Sequence, residues 1–247
     1  MGLLLSAFIA TLWLVSFFWS LQIEIEEFPL IVVLLIILCR AFLQTGIFIV
    51  AHDAIHGNVI PGKPAWNSAI VRIALFCCGG MPYEVWKKNH ERHHERPSHP
   101  DDPDFHNGTT SNFILWYLQF SKAYFPRFEF FIYISRLSFL CLSILFLSNA
   151  SLRAILFFAV LPIILSSLQL FLFGTYLPHK EKGCIKSYYF PPVLSLIACY
   201  NFSYHLEHHQ YPNTPWYLLP KKSQLVSQKR KQLIPVLISR SLHNYRE

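Results

Sequence analysis

The chain has 247 residues, of which 53% are hydrophobic and 14% charged, and a formal net charge of +7. Soluble domains carry about 25% charged residues, so this composition excludes a disordered chain and argues against a soluble one. A basic excess in so apolar a chain points to an anionic membrane face rather than to nucleic acid. The six cysteines form no C-x-x-C, and support neither a zinc ribbon nor a disulfide framework.

A membrane-spanning helix needs about 20 mostly apolar residues. In chain order, 3–20 meets this narrowly. It lacks a basic leader and a small-x-small cleavage site, so it reads as a span rather than a signal peptide. Segment 28–51 is the second span, with Arg40 inside it. An intramembrane charge is a functional hint, although pairing with a buried polar group such as Gln44 explains it equally well. Segment 66–80 is apolar but too short, and reads as an interfacial or re-entrant piece. Segment 96–110, rich in Pro, Asp and Asn, reads as a loop. Spans three and four are 131–150, interrupted by Arg136, and 152–176, with Pro162 expected to kink it. Segment 190–200 is again too short to span, and the basic tail after Pro220 reads as a helix lying against anionic headgroups.

Lys and Arg give the orientation. Segment 52–130 holds eight and 180–247 holds ten, while loop 21–27 has none and carries Glu24, Glu26 and Glu27. The positive-inside rule then makes 52–130, the tail and both termini cytoplasmic. The expected fold is one all-α, multi-pass membrane domain over 1–247, with about four transmembrane helices and a cytoplasmic histidine-rich cap formed by 52–130 and 177–247.

Eight of the twelve histidines fall into three groups: His52 and His56 as H-x-x-x-H, His90, His93 and His94 as H-x-x-H-H, and His205, His208 and His209 as a second H-x-x-H-H. Residues three and four apart share a helix face, so each group aims its imidazoles one way. Eight imidazoles are too many for one ion and suit two. H-E-x-x-H is absent, which excludes a zincin, and His205-Leu206-Glu207-His208-His209 differs from H-x-x-E-H. Ferritin-like di-iron pairs of E-x-x-H are also missing. A dinuclear, nearly all-histidine site at a membrane surface remains. Iron suits a redox role with a substrate from the bilayer, while ligand type alone leaves hydrolytic chemistry open.

The three boxes resemble those of the membrane fatty-acid desaturase–hydroxylase superfamily. Their flanks resemble bacterial β-carotene ketolases: His52-Asp53-Ala54-Ile55-His56-Gly57, Asp101-Asp102-Pro103-Asp104-Phe105, Phe173-Gly174-Thr175-Tyr176-Leu177-Pro178-His179, Tyr204 before the third box, and Pro215-Trp216 and Leu219-Pro220 after it. The likeness runs from about 40 to 220, and departs at Tyr217, where a second Trp is expected, and at Ser203, where Gly is common.

This resemblance implies His179 as a ninth ligand and two ferrous ions as cofactor. It also implies an O2-dependent monooxygenase that converts the C4 methylene of carotenoid β-ionone rings to a ketone, taking β-carotene to echinenone and canthaxanthin. The carotenoid is expected to arrive from the bilayer along an apolar tunnel walled by 113–117 and 124–131. Electrons are expected from a ferredoxin-like donor. A fatty-acid desaturase or hydroxylase, or a carotenoid hydroxylase, would use the same boxes. Asp53, Asp101, Asp102 and Asp104 are candidates to accept N–H bonds from ligating imidazoles; for Asp101–Asp104 the competing reading is a solvated turn.

Overall fold

A computed structural model of the chain describes residues 1–106 and 111–228. The tail beyond 228 and the end of the 96–110 loop, both named above, lie outside the described residues. Those described are all-helical, without a strand. Nine helices set the frame: α1 (Gly2–Ser20), α2 (Leu30–Ile55), α3 (Pro64–Cys77), α4 (Tyr83–Glu95), α5 (Phe113–Tyr124), α6 (Arg127–Leu147), α7 (Leu152–Tyr176), α8 (Pro192–Cys199) and α9 (His205–Gln210). Helices α1, α2, α6 and α7 are long and apolar enough to cross a membrane, with mean hydropathy between 2.0 and 2.4. Their outward faces are greasy: Leu4, Phe8, Leu35, Leu38, Phe139, Phe146 and Leu156 are all exposed.

Helix α2 is the hub, packed against α1, α3 and α7. It runs four residues past the expected end of its span, and the terminating signal is local. Gly57 sits at φ +76, Gly57 N–H donates to Ala54 O at 3.0 Å and Asn58 N–H to Asp53 O at 2.9 Å. These are the two bonds of a Schellman C-cap. The helix therefore carries His52 through its last turn and delivers His56 as its capping residue. Gly46, further up α2, lets Tyr200 approach: a Cβ there would lie 2.5 Å from the Tyr200 hydroxyl.

Helix α7 is not regular. It widens into π turns over Leu156–Val160 and Leu172–Tyr176. Proline at 162 has no N–H to give to Phe158 O, and the freed carbonyl must find another donor. Arg40 supplies it: Nε donates to Phe158 O at 3.1 Å, while Nη1 donates to Trp13 O and Ser16 Oγ, each at 3.0 Å. The guanidinium also lies over the Trp13 and Phe17 rings, 5.3 and 5.1 Å from their centroids. Gln44, the partner considered above, is engaged elsewhere, accepting from Trp13 Nε1 at 2.9 Å. Arg40 thus ties α1, α2 and α7 together. Arg40→Ala is expected to strand the Phe158 carbonyl and cost about 1–3 kcal/mol, read as a lower denaturation midpoint in detergent.

Arg136, the charge in α6, donates to Gly80 O at 3.2 Å. The two short apolar segments fold as α3 and α8. The second ends on Tyr200 and Asn201, both left-handed at φ +49 and +64, and this reversal aims the chain into α9.

Candidate metal centre

All nine histidines singled out by sequence meet at one end of the bundle, in two groups. His52, His56, His90, His94 and His208 form the first; His93, His179, His205 and His209 form the second. Within each, one ring nitrogen per residue lies within 4.8 Å of the others. Helix geometry explains the partition. At 100° per residue, positions i and i+4 differ by about 40°, while i+3 lies about 60° to the other side. His90 and His94 accordingly aim at the first group and His93, between them, at the second. In α9 the roles are exchanged: His205 and His209 aim at the second group and His208 at the first. The two H-x-x-H-H boxes are thus crossed, each giving two imidazoles to one group and one to the other.

The nitrogens converge closely. His90 and His56 bring their Nε2 atoms to 2.8 Å, and His208 and His94 to 3.0 Å. In the second group His179 and His205 stand 2.8 Å apart, and His209 and His205 3.0 Å. Neutral imidazole nitrogens facing one another at that range repel unless a proton or a cation lies between them. A transition-metal ion with bonds of about 2.0–2.1 Å to imidazole separates neighbouring ligands at right angles by about 2.9 Å. The donor set therefore fits one such ion in each group.

Burial keeps these rings neutral. It pushes His56 down to about 4 and His94 down to about 2. His90, His179, His205, His208 and His209 are driven well below their ordinary value by burial and by neighbouring imidazoles. His93 goes the other way: burial alone lowers it, but the charges of Asp104 and Asp102 outweigh that.

The four aspartates divide. Asp102 holds His93 Nδ1 at 3.0 Å from both carboxylate oxygens, and also accepts the N–H groups of Ser98 and Asp104, each at 2.8 Å. Asp104 lies 3.9 Å from His93 Nδ1 and accepts from Tyr124 Oη at 2.7 Å. Asp53 touches no histidine nitrogen; its carboxylate accepts the Trp216 N–H at 3.3 Å, tying the first box to the segment after the third. Asp101 is exposed and pairs with Arg96 and His99. Among the described residues only Asp102 makes the expected bond to a histidine of the two groups: Asp104 stops at 3.9 Å, Asp53 points away from the His52–His56 face, and Asp101 sits on the outer side of its turn, where its imidazole partner is His99.

Sequence reasoning passed over Ser98, whose Oγ is 2.8 Å from His179 Nδ1, and Glu207, a buried carboxylate receiving the hydroxyls of Ser187 at 2.5 Å, Tyr189 at 3.0 Å and Ser223 at 2.7 Å. Glu207 anchors the back of α9 while His205 and His208 face the centre. No short motif encodes either contact.

A cavity of about 310 Å³ opens beside the histidines between α2, α5, α6 and α7. His52, His90, His93, His94, His205 and His208 form its floor, so both groups border it. Phe48, Phe120, Phe125, Leu170 and Phe202 make its walls apolar. From the two aromatic stretches expected to line a tunnel, Tyr117, Tyr124, Phe125 and Phe130 do so, whereas Phe113 and Trp116 pack instead against Phe171 in a separate core. Phe130 and Ile164 line the cavity and are each 48% exposed on the apolar flank.

A helical bundle capped by crossed histidine boxes defines a class, and the chain belongs to it: the fatty acid desaturase family, whose model matches residues 28–240. Within that family the similarity is to proteins that oxidise carotenoids. The chain is 34% identical over 234 residues to the β-carotene ketolase of Paracoccus sp. (strain PC1), an alignment covering 88% of this chain and 90% of that one. It is 35% identical over 187 residues to the β-carotene ketolase of Paracoccus sp. (strain N81106 / MBIC 01143), covering 72% and 74%. It is 32% identical over 228 residues to the zeaxanthin 4-ketolase of Chlamydomonas reinhardtii, covering 88% of this chain and 50% of that one. The resemblance of the chain to β-carotene ketolases is thereby borne out. No solved structure matches the chain.

Proposed function

We propose that the protein is a membrane-embedded carotenoid oxygenase that converts the C4 methylene of a β-ionone ring to a ketone. The observation that carries this reading is the apolar cavity bordered by both histidine groups, in a chain more than 30% identical to β-carotene ketolases over most of its length. A carotenoid is nearly insoluble in water, so it enters from the bilayer. The exposed Phe130 and Ile164 offer an apolar entrance between α6 and α7. The walls hold the polyene while the ring reaches the floor, where Trp86, stacked on His90 at 5.2 Å between centroids, stiffens one side.

Two iron ions held by the two groups would supply the reductive activation of O2 and the oxidation of an allylic C–H bond. The protein's part is to keep the imidazoles neutral, exclude water, and fix which carbon faces them. Two oxygenations at C4 give a gem-diol, which loses water to the ketone. The histidine-rich end is cytoplasmic on the Lys and Arg distribution, and its basic surface suits an acidic, ferredoxin-like electron donor.

Expression in a β-carotene-producing bacterium followed by pigment chromatography tests the reading. A monoketone and then a diketone are expected, with a red-shifted colour because each carbonyl extends the conjugated chain. A 3-hydroxylated carotenoid instead would make the protein a hydroxylase. Unchanged pigment with new double bonds in membrane lipids would make it a desaturase.

A further inference from the structure

We propose that Ser98 is a positioning residue that sets the tautomer of His179 and so completes the second histidine group; this rests on reading that group as a metal site. Ser98 lies outside every histidine box, between Pro97 and Pro100, yet it is fully buried at 0% exposure. Its backbone is left-handed at φ +58, a conformation that costs a non-glycine residue on the order of 1 kcal/mol. Two backbone bonds hold it there: its N–H donates to Asp102 Oδ2 at 2.8 Å, and its carbonyl accepts Gly183 N–H at 3.0 Å. A glycine would adopt this conformation more readily, so the reason for a serine lies in its hydroxyl.

That hydroxyl has one proton to give and two lone pairs. The Cys184 carbonyl, 3.2 Å away, can only accept, and it takes the proton. His179 Nδ1, 2.8 Å away, therefore donates to Ser98 Oγ. With the proton fixed on Nδ1, the Nε2 lone pair of His179 faces Nε2 of His205 at 2.8 Å. Asp102 does the same for His93, since a carboxylate can only accept from Nδ1–H. Through the Ser98 N–H···Asp102 bond, one turn of chain presets two of the four imidazoles of the second group. His205 makes the contrast clear, because its buried Nδ1 has no hydrogen-bond partner among the described residues and its tautomer is set by what binds at Nε2.

The test uses full-length, metal-stripped protein in detergent, titrated with Zn2+. Ser98→Gly is expected to keep its helical circular dichroism and bind one equivalent as tightly as the parent, with the second weakened by about 10–100-fold, the usual effect of removing a hydrogen-bond partner from a ligating histidine. Ser98→Ala should behave alike. If Ser98 only shaped the turn, glycine would serve at least as well; two equivalents at parental affinity in Ser98→Gly overturn the proposal. A measurement on the unaltered chain decides the point even where a variant fails to fold. In metal-free protein labelled with 15N-histidine, His179 is expected to carry its proton on Nδ1, and a proton on Nε2 overturns the assignment to Ser98. A parent chain that binds no Zn2+ overturns the metal-centre reading instead, and the tautomer measurement still judges Ser98.

Discussion

Replacing His208 by Ala is expected to empty the first group and replacing His205 by Ala the second, so that each variant retains one metal equivalent per chain where the parent holds two. The two residues lie three apart on α9, and differ only in which way the helix turns them. Losing a ligand outright should weaken its ion by more than about 100-fold, beyond the 10–100-fold typical of outer contacts. The remaining group keeps its own imidazoles and should keep its ion. Ketone formation should vanish in both variants, because the cavity floor draws on both groups. Metal analysis of the purified proteins, alongside pigment chromatography, checks this. If either substitution removes both ions, the groups form one cooperative site. If the parent holds a single zinc and no iron, the di-iron reading is wrong.

The helices and histidine boxes were legible because they rest on local periodicity. Four apolar stretches of spanning length appear as α1, α2, α6 and α7, with ends shifted by a few residues. Even the extension of α2 through His52 was written locally, in the Gly57 that closes its Schellman cap. What could not be read depends on distant partners. The charge of Arg40 is obvious in the sequence, but its purpose is not: the carbonyl it satisfies belongs to Phe158, 118 residues away, and was freed by Pro162. Four aspartates near the boxes look equivalent, yet only Asp102 bonds a histidine of the two groups and only Asp104 otherwise comes near one, because these two side chains face α4 from their turn while Asp101 on the same turn faces out to His99. The allocation of histidines to two groups needs the relative placement of α2, α4 and α9, which no spacing within a single box contains. Ser98 is the extreme case: a common residue in a proline-flanked loop whose role follows from an unusual backbone angle and a histidine 81 positions away.

Acidification is expected to destabilise the metal-free protein as the pH falls below about 6.5, the unfolded-state value for histidine. The sign follows from the direction of the shifts. His56, at about 4, and His94, at about 2, are depressed by burial, and five further members outside the spans lie well below the ordinary value. Between pH 6.5 and those values the unfolded chain takes up protons that the folded chain refuses, so stability present above 6.5 is lost on the way down. Each such group contributes about 1.4 kcal/mol per pH unit within its window, so His56 alone accounts for about 3 kcal/mol between pH 6.5 and 4. His93 opposes the trend, because its raised value adds stability at low pH that is lost as the pH rises through it. It is one group against several, and the net direction stands. Bound metal excludes protons from Nε2 of the same rings and adds its binding energy to the folded state only. The loaded protein should therefore denature at a lower pH than the stripped one, releasing its ions as it does so. Circular dichroism and metal analysis across pH 8 to 4 read both curves. Coincident curves for stripped and loaded protein would show that the nine histidines hold no metal, and a stripped protein indifferent to pH in this range would show that they are not buried as a neutral cluster.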